Sequence, residues 1–365
     1  MRLLIINPGS TSTKVSLYEE DRLIFEVSPY HDAPQLLKYP TVNDQLPFRK
    51  QFILDVLKEH EIDPHSIDAF VGRGGSAHTQ PAGVTLIDEK LYEDTVNEVG
   101  GSQHPAKLGV MLAYELGREF GGQMLTMDPT NVDELCDCAR LTGIKGIYRR
   151  AQSHVLNQKA VARAHASKLG KKYEDCCFIV SHIDGGITVS AHDHGKMIDG
   201  NVGAGGDGPF TPTRIGSVPV SAVLAYLEDH SADELKKMLS RSGGLVSHFG
   251  TSRTTVIRDR MYEGDPGAGL IWETMLYQIS KEIGAMSTVL KGHVDGILLT
   301  GGLVRFEDLV NGIRKRCEWI APISVYPGEL EQEALNSEAL KVLHGEVKPL
   351  KYTGEDVWNG FDFDV

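Results

Sequence analysis

Asn7-Pro8-Gly9-Ser10-Thr11-Ser12-Thr13-Lys14, entered from the apolar run Leu3-Leu4-Ile5-Ile6, has a counterpart half a chain later. That counterpart is Asp184-Gly185-Gly186-Ile187-Thr188, entered from Phe178-Ile179-Val180-Ser181. Each glycine turn leads into an alternating strand, a polar turn and a further strand: Val15-Ser16-Leu17-Tyr18 then residues 22–27 in the first copy, residues 188–191 then 196–198 in the second. A strand–turn–strand unit presents backbone N–H groups and hydroxyls at a tight bend, the arrangement with which a chain cradles phosphate. Two such units predict two duplicated halves that grip one nucleotide between them.

Working outward, residues 1–30 read as a three-strand meander, and residues 46–60 carry helical spacing through Phe48, Phe52, Ile53, Val56 and Leu57. A short strand over 67–71 runs into Gly72-Arg73-Gly74-Gly75. A helix over 105–120 stops at Gly121-Gly122, a strand over 124–127 ends on Asp128-Pro129, and an Ala-rich helix covers 152–169. The second half repeats the order: meander, a loop-rich stretch over 200–218, helices over 221–239 and 267–290, and a strand over 294–300 ending in Gly301-Gly302. This alternation predicts α/β domains. The expected division is an N-terminal domain over 1–150 and a C-terminal, nucleotide-binding domain over 151–330. A last helix within 331–348 is expected to pack back on the first domain, and 349–365 reads as a polar, aromatic tail.

At 365 residues the chain is too long for one ordinary core. Its 41% hydrophobic and 24% charged content is that of a globular protein. The net charge of −13 is spread along the chain and leaves no basic stripe, which argues against a nucleic-acid partner. No stretch approaches the roughly 20 apolar residues of a membrane span, and no secretory h-region follows Met1-Arg2; the expectation is a cytoplasmic protein with no membrane partner. Of the five cysteines, Cys136 and Cys138 lack a second pair at ligand spacing, and adjacent Cys176 and Cys177 are poorly placed for a mutual disulfide. Reduced, structural thiols are expected.

The chemistry-bearing candidates cluster at the turns. Asn7, Ser10, Ser12 and Lys14 bring an amide, hydroxyls and a point charge to one bend, a donor density suited to a transferring phosphoryl group; the plainer alternative is a hairpin built from turn residues. In His182-Ile183-Asp184-Gly185-Gly186, Asp184 either positions a metal or water or simply caps the turn, while Gly185 and Gly186 let backbone approach phosphate. Gly203-Ala204-Gly205-Gly206-Asp207-Gly208 matches a dinucleotide fingerprint only by letter, because no apolar strand precedes it and Pro209 blocks a helix directly after it. No Walker A motif is present. Arg73 and Arg214 stand in Gly-rich loops, where a guanidinium forks onto carboxylate or phosphate oxygens; a solvated loop arginine is the alternative. Asp128, at a strand end, is a candidate Mg²⁺ ligand. His154 opens a helix, and His192-x-His194 reads as surface in a hairpin turn.

Together these residues resemble the acetokinase family of acetate and butyrate kinases, within the duplicated actin-like phosphotransferases, over about residues 1–348. Asn7 to Lys14 resembles the family's first phosphate motif, His182 to Gly186 the second (where acetate kinases carry Asn at position 184), and Leu299-Thr300-Gly301-Gly302 the adenosine motif. Gly208 to Arg214, His154-x-x-Asn157-Gln158-Lys159 and Tyr326-Pro327-Gly328-Glu329 resemble the butyrate kinase branch. The resemblance implies duplicated ribonuclease H-like (actin-like ATPase) domains with an interdomain cleft. It implies ATP/ADP and Mg²⁺ as cofactors, a short-chain carboxylate or acyl phosphate as partner, and at least a dimer. Arg73 and Arg214 would bind the carboxylate and the transferring phosphoryl group, and His154 would stabilise the transition state. Asn7, Ser10, Ser12 and Lys14 would line the phosphate path, and His182, Asp184, Gly185, Gly186, Gly301 and Gly302 would hold the nucleotide. Asp128 and a glutamate among Glu329, Glu331 and Glu333, with Glu329 first, would support Mg²⁺. The implied reaction is ATP-dependent phosphorylation of butanoate. The competing readings are a kinase for another short or branched acid and an actin-like ATP-binding switch.

Overall fold

The computed structural model describes residues 1–9, 12–32, 36, 38–75, 77–101 and 105–363. Ser10, one of the expected phosphate-path residues, lies outside the described residues. The chain divides into two compact units: Met1–Asp133 with Leu330–Val365, and Glu134–Glu329. The division falls at Asp133, ahead of the 150 read from the sequence, because the intervening segment bonds to the second unit. Glu134 pairs with Lys159 at 2.8 Å, Cys136 N–H donates to Ile198 O, and Arg149 pairs with Asp199 and Asp207, each at 2.9 Å.

Unit 1 is built on a seven-stranded sheet. Its strands are β1 (Arg2–Pro8), β2 (Thr13–Glu19), β3 (Arg22–Val27), β4 (Ala69–Arg73), β5 (Val84–Leu86), β6 (Gln123–Met127) and β12 (Leu350–Lys351), in the order β12-β5-β6-β4-β1-β2-β3. Strands β1, β4 and β6 run parallel, and β2 and β3 return antiparallel. β1 is apolar almost throughout because both of its faces are covered. Leu4 and Ile6 join Ile53, Val56 and Leu57 of helix Leu46–Glu59 and Leu108, Met111 and Leu112 of helix Leu108–Phe120 in one core. On the opposite face lies helix Glu331–Leu343, whose Gln332 donates to Ser16 Oγ at 2.7 Å. The last segment is tied down as well: Tyr352 is buried, and Asp356 accepts the Thr79 N–H at 2.7 Å.

Unit 2 repeats the plan on five strands, β7 (Cys177–Ile183), β8 (Ile187–Asp193), β9 (Lys196–Gly200), β10 (Gly296–Gly301) and β11 (Ile323–Pro327), in the order β11-β10-β7-β8-β9. This order matches β6-β4-β1-β2-β3, with the same pattern of parallel and antiparallel pairs. A register shift falls between Leu17 and Tyr18 in one meander and at the corresponding place, between Ala191 and His192, in the other. Ile179, Val189, Ile297 and Leu299 pack on Trp272, Leu276 and Ile279 of helix Pro266–Val289 and on Leu309 and Ile313 of helix Glu307–Cys317. The other face carries helix Val155–Lys168, where His165 meets the Phe178 ring edge-on.

Several elements differ from the sequence expectation, two of them helical segments of unit 2. The helix expected over 221–239 is broken into Val220–Asp229 and Ala232–Lys237, because Ser231 and Glu234 form a capping box that starts a new helix. Helix Glu307–Cys317 was not anticipated, although Leu309, Val310, Ile313 and Cys317 lie buried along one side of it. Among the described residues no helix is long and apolar enough to cross a membrane.

Candidate functional site

In both units the candidate residues collect at the C-terminal edge of the parallel strands, where open α/β sheets bind ligands. In unit 1, β1 carries Asn7 one residue before its end at Pro8, β4 ends on Arg73 and β6 on Met127, next to Asp128. Asn7 Nδ2 donates to Glu331 Oε2 at 2.7 Å, and Arg73 contacts both Glu331 Oε1 (3.2 Å) and Asn7 Oδ1 (3.4 Å). Glu331 opens its helix and is 1% exposed. Its carboxylate therefore aims the Arg73 guanidinium instead of facing solvent. Arg73 reaches this point because β4 runs against helix Leu108–Phe120 at a glycine contact: a Cβ on Gly72 would lie 2.0 Å from Gly109 O. Of the sequence candidates for a functional glutamate, Glu331 is the one brought to Arg73 and Asn7.

Asp128 is buried and has φ +40°, a conformation that L residues rarely adopt and that Asp tolerates better than most. Its Oδ1 accepts the Gly83 N–H at 2.8 Å. Lys14 sits opposite Asn7 in the β1–β2 register, and Ser12 closes the turn by accepting the Gly9 N–H at 2.9 Å.

Behind that turn is a residue the sequence reading missed, Arg49. Its side chain is fully buried, and it donates to Gly9 O, Ser12 O, Thr13 Oγ1 and Gln45 Oε1. Burial pulls its ionisation down to about 10. The signal was there: an arginine on the apolar side of the helix, four residues after a glutamine. Thr13 Oγ1, which accepts from Arg49, is also hydrogen-bonded to His31 Nε2 at 2.8 Å; burial and the nearby guanidinium hold His31 below its usual range.

In unit 2, Asp184 takes the Gly185 N–H at 2.8 Å on one oxygen and the Gly302 N–H at 2.7 Å on the other. It caps its own turn and ties that turn to the end of β10. Thr211 Oγ1 donates to Gly185 O at 2.8 Å and accepts the Arg214 N–H, which hooks the turn holding Arg214 onto the same place. The Arg214 guanidinium donates to Gly203 O at 2.7 Å and lies where a Cβ on Gly186 would be, 2.8 Å from Nη1. Position 186 must therefore be glycine for Arg214 to occupy the phosphate turn. Among the described residues no carboxylate pairs with Arg214, and burial lowers its pKa.

His154 precedes helix Val155–Lys168 and stacks on His182, ring centroids 3.9 Å apart. Asn157 Nδ2 donates to His182 Nδ1 at 2.9 Å, which leaves the His182 proton on Nε2, 3.9 Å from Glu329 Oε1. A directional chain reaches His154. Tyr173 OH donates to His192 Nδ1 (2.7 Å), His192 Nε2 to Gln158 Oε1 (3.1 Å), and Gln158 Nε2 to Thr188 Oγ1 (2.7 Å). Continued in the same direction, the chain has the Thr188 hydroxyl donating to His154 Nδ1 at 2.9 Å, the arrangement in which the neutral His154 ring carries its proton on Nε2. His192, read from the sequence as surface, is instead fully buried, and burial drives its pKa well below the usual range. The alternating strand β8 turns His192 inward and leaves Asp193 at the rim.

Among the described residues two trios have metal-ligand proximity, His182/Asp184/Glu329 and Cys177/Asp193/His194. In the second the donor atoms already bond one another: the Cys177 thiol donates to Asp193 at 3.3 Å, and His194 Nδ1 lies 2.5 Å from the same oxygen. The carboxylates Asp128 and Glu331 in unit 1, and Asp184 and Glu329 in unit 2, are the oxygen donors that suit a hard cation such as Mg²⁺.

Residues 141–317, all within unit 2, match the model of the acetokinase family. Three solved structures share the fold over nearly the whole chain. An acetate kinase from Porphyromonas gingivalis aligns with a TM-score of 0.77 at 18% identity, covering 94% of this chain and 99% of that one. A propionate kinase from Francisella tularensis subsp. tularensis SCHU S4 aligns at 0.74 and 17%, covering 92% and 98%. An acetate kinase from Entamoeba histolytica aligns at 0.74 and 16%, covering 93% and 99%. The fold is the duplicated, actin-like α/β fold of these kinases, and residues 141–317 match the acetokinase-family model.

Proposed function

We propose, from that acetokinase segment, that the chain transfers the terminal phosphoryl group of ATP to a short-chain carboxylate, and that the carboxylate is butanoate: ATP + butanoate ⇌ ADP + butanoyl phosphate. The observation that carries the reading is Arg214, a half-buried guanidinium with no carboxylate partner among the described residues, seated against Gly186 of the second phosphate turn inside the family-matched segment. A half-buried guanidinium bonded to a neutral carbonyl keeps its charge and its remaining N–H donors for an anion.

The chemistry needs no general base, because a carboxylic acid with a pKa near 4–5 is already ionised at neutral pH. A carboxylate oxygen attacks the γ-phosphorus while the bond to the β–γ bridging oxygen breaks, and ADP leaves. The obstacle is repulsion between anions. Arg73, aimed by Glu331 and Asn7, is assigned to the carboxylate and the transferring group, with Lys14 and Ser12 along the phosphate path. Arg214 and the Nε2–H of His154 are assigned to the charge that develops on the phosphoryl oxygens. The turns at Asp184–Gly186 and Gly301–Gly302, held together by Asp184, are assigned to ATP. Mg²⁺, when bound, neutralises phosphate charge; Asp128 and Glu329, with Glu331 as the alternative, are its assigned carboxylates.

The choice of butanoate rests on Gly208 to Arg214, the His154–Lys159 stretch and Tyr326 to Glu329. An apolar pocket separates acids differing by one methylene by only about 1–3 kcal/mol, so overlapping activity on propanoate and isobutyrate is expected. A hydroxamate trap with ATP and Mg²⁺, run on acetate, propanoate, butanoate and isobutyrate, tests both levels. Product peaking at butanoate supports the full reading. A peak at another acid moves the substrate within the class, and no product from any acid removes the kinase reading.

A further inference from the structure

We propose that Arg49 is a positioning residue of the first phosphate turn, fixing its two flanks and placing an uncompensated positive charge beneath it. The inference rests on the kinase reading and extends it to a residue outside every motif quoted above.

The guanidinium has five N–H donors, and its bonds use Nη1, Nη2 and Nε together. Nη1 donates to Ser12 O at 2.6 Å and to Thr13 Oγ1 at 2.9 Å, Nη2 to Gly9 O at 3.0 Å and Gln45 Oε1 at 2.9 Å, and Nε to Gln45 Oε1 at 3.2 Å. Every acceptor is neutral. Among the described residues no carboxylate pairs with this arginine, although its side chain is fully buried.

A buried cation is ordinarily paired, because an unpaired charge in a low-dielectric interior is costly. Keeping one here has two consequences. The carbonyls of Gly9 and Ser12 are drawn inward toward Arg49, so they are withdrawn from the face where an anion would meet oxygen repulsion. The charge also stays available to a phosphate at the turn, since no carboxylate cancels it. A cap that only needed to hold the turn together would do so at lower cost with a neutral side chain.

Two substitutions in the 365-residue chain separate charge from geometry. Gln45→Glu supplies the missing counter-charge while keeping the fork. It should leave the melting temperature unchanged or raised, yet lower kcat/KM for ATP roughly tenfold. Arg49→Lys keeps the charge but loses the fork, and should lower kcat by about 100-fold through misplacement of the turn. The companion readout needs no turnover: hydrogen–deuterium exchange of the peptide spanning residues 7–17, with and without Mg²⁺ and a non-hydrolysable ATP analogue. Wild type should gain protection there and both variants should lose that gain, while peptides around 182–188 remain protected.

A Gln45→Glu protein with kcat/KM within twofold of wild type and unaltered protection makes Arg49 a structural staple only, and overturns the proposal. So does a wild-type protein whose residues 7–17 gain no protection from the nucleotide analogue. Should Arg49→Lys not fold, Gln45→Glu decides alone. Failure of the kinase reading is distinct: wild type yields no acyl hydroxamate from any acid, whatever the exchange pattern at 7–17.

Discussion

At the scale of single residues, the site is defined by how each charge is compensated. Arg73 is paired: Glu331 and Asn7 fix its fork, and that contact is buried at the glutamate end. Arg214 and Arg49 are held by neutral oxygens, which leaves their charge for a ligand. The distinction separates the candidate glutamates. Glu331→Gln removes the carboxylate that aims Arg73 and leaves a guanidinium without its counter-charge, whereas Glu329→Gln alters a side chain 3.9 Å from His182. Glu331→Gln is expected to lower kcat/KM for the carboxylate by at least 100-fold, and Glu329→Gln by roughly tenfold or less. Steady-state kinetics at saturating Mg²⁺, with thermal melts to confirm folding, check the order. A larger loss from Glu329→Gln returns the principal role to that residue.

At the scale of elements, helix Val155–Lys168 does more than cover a sheet. Its first turn presents Asn157 to His182 and Gln158 to both Thr188 and His192, so one helix sets the protonation geometry of two histidines. The direction of the chain depends on Gln158 offering an acceptor on one side and a donor on the other. In Gln158→Met the Thr188 hydroxyl no longer has a donor to accept from, and the tautomer of His154 is no longer imposed. The expected result is a roughly tenfold fall in kcat with the KM for ATP within about threefold. Nitrogen-15 chemical shifts of His154 should change from one tautomer to a mixture. Unchanged shifts would show that the chain is packing and nothing more.

At the scale of the whole molecule, the two units share a strand order but differ in what they place at the strand ends. At equivalent edges unit 1 carries Asn7, Lys14, Arg73 and Asp128, and unit 2 carries His182, Thr188, Gly301 and the Asp184 turn. Stability has its own distribution. Glu282, on helix Pro266–Val289, has its pKa raised to about 7 from 4.5, first by burial and then by Asp207. It is neutral in the folded state at low pH, so its contribution is fully present below about 4.5 and is lost as pH rises through about 7. Glu282→Gln keeps the neutral form at every pH. The variant should melt higher than wild type at pH 8 and the same at pH 4.5, a comparison that two thermal scans provide.

The architecture was legible in the sequence because it is written locally. Both meanders, the glycine turns at their bends and the helix–strand alternation follow from periodicity and turn chemistry among residues a few positions apart. The same local signals marked Asn7, Arg73, Asp128, His154, Asp184 and Arg214 as polar groups at strand ends and loops, although a sequence does not say which groups meet. Asn7 and Glu331 are separated by 324 positions, and Arg49 lies 37 positions from Ser12. The tie from Asp184 to Gly302, the inward turn of His192 and the seating of Arg214 on Gly186 likewise appear only in three dimensions. Local propensity chose the elements; the close approach of distant chain segments at the sheet edges, where low dielectric makes each unpaired polar group costly, decided which side chains face one another.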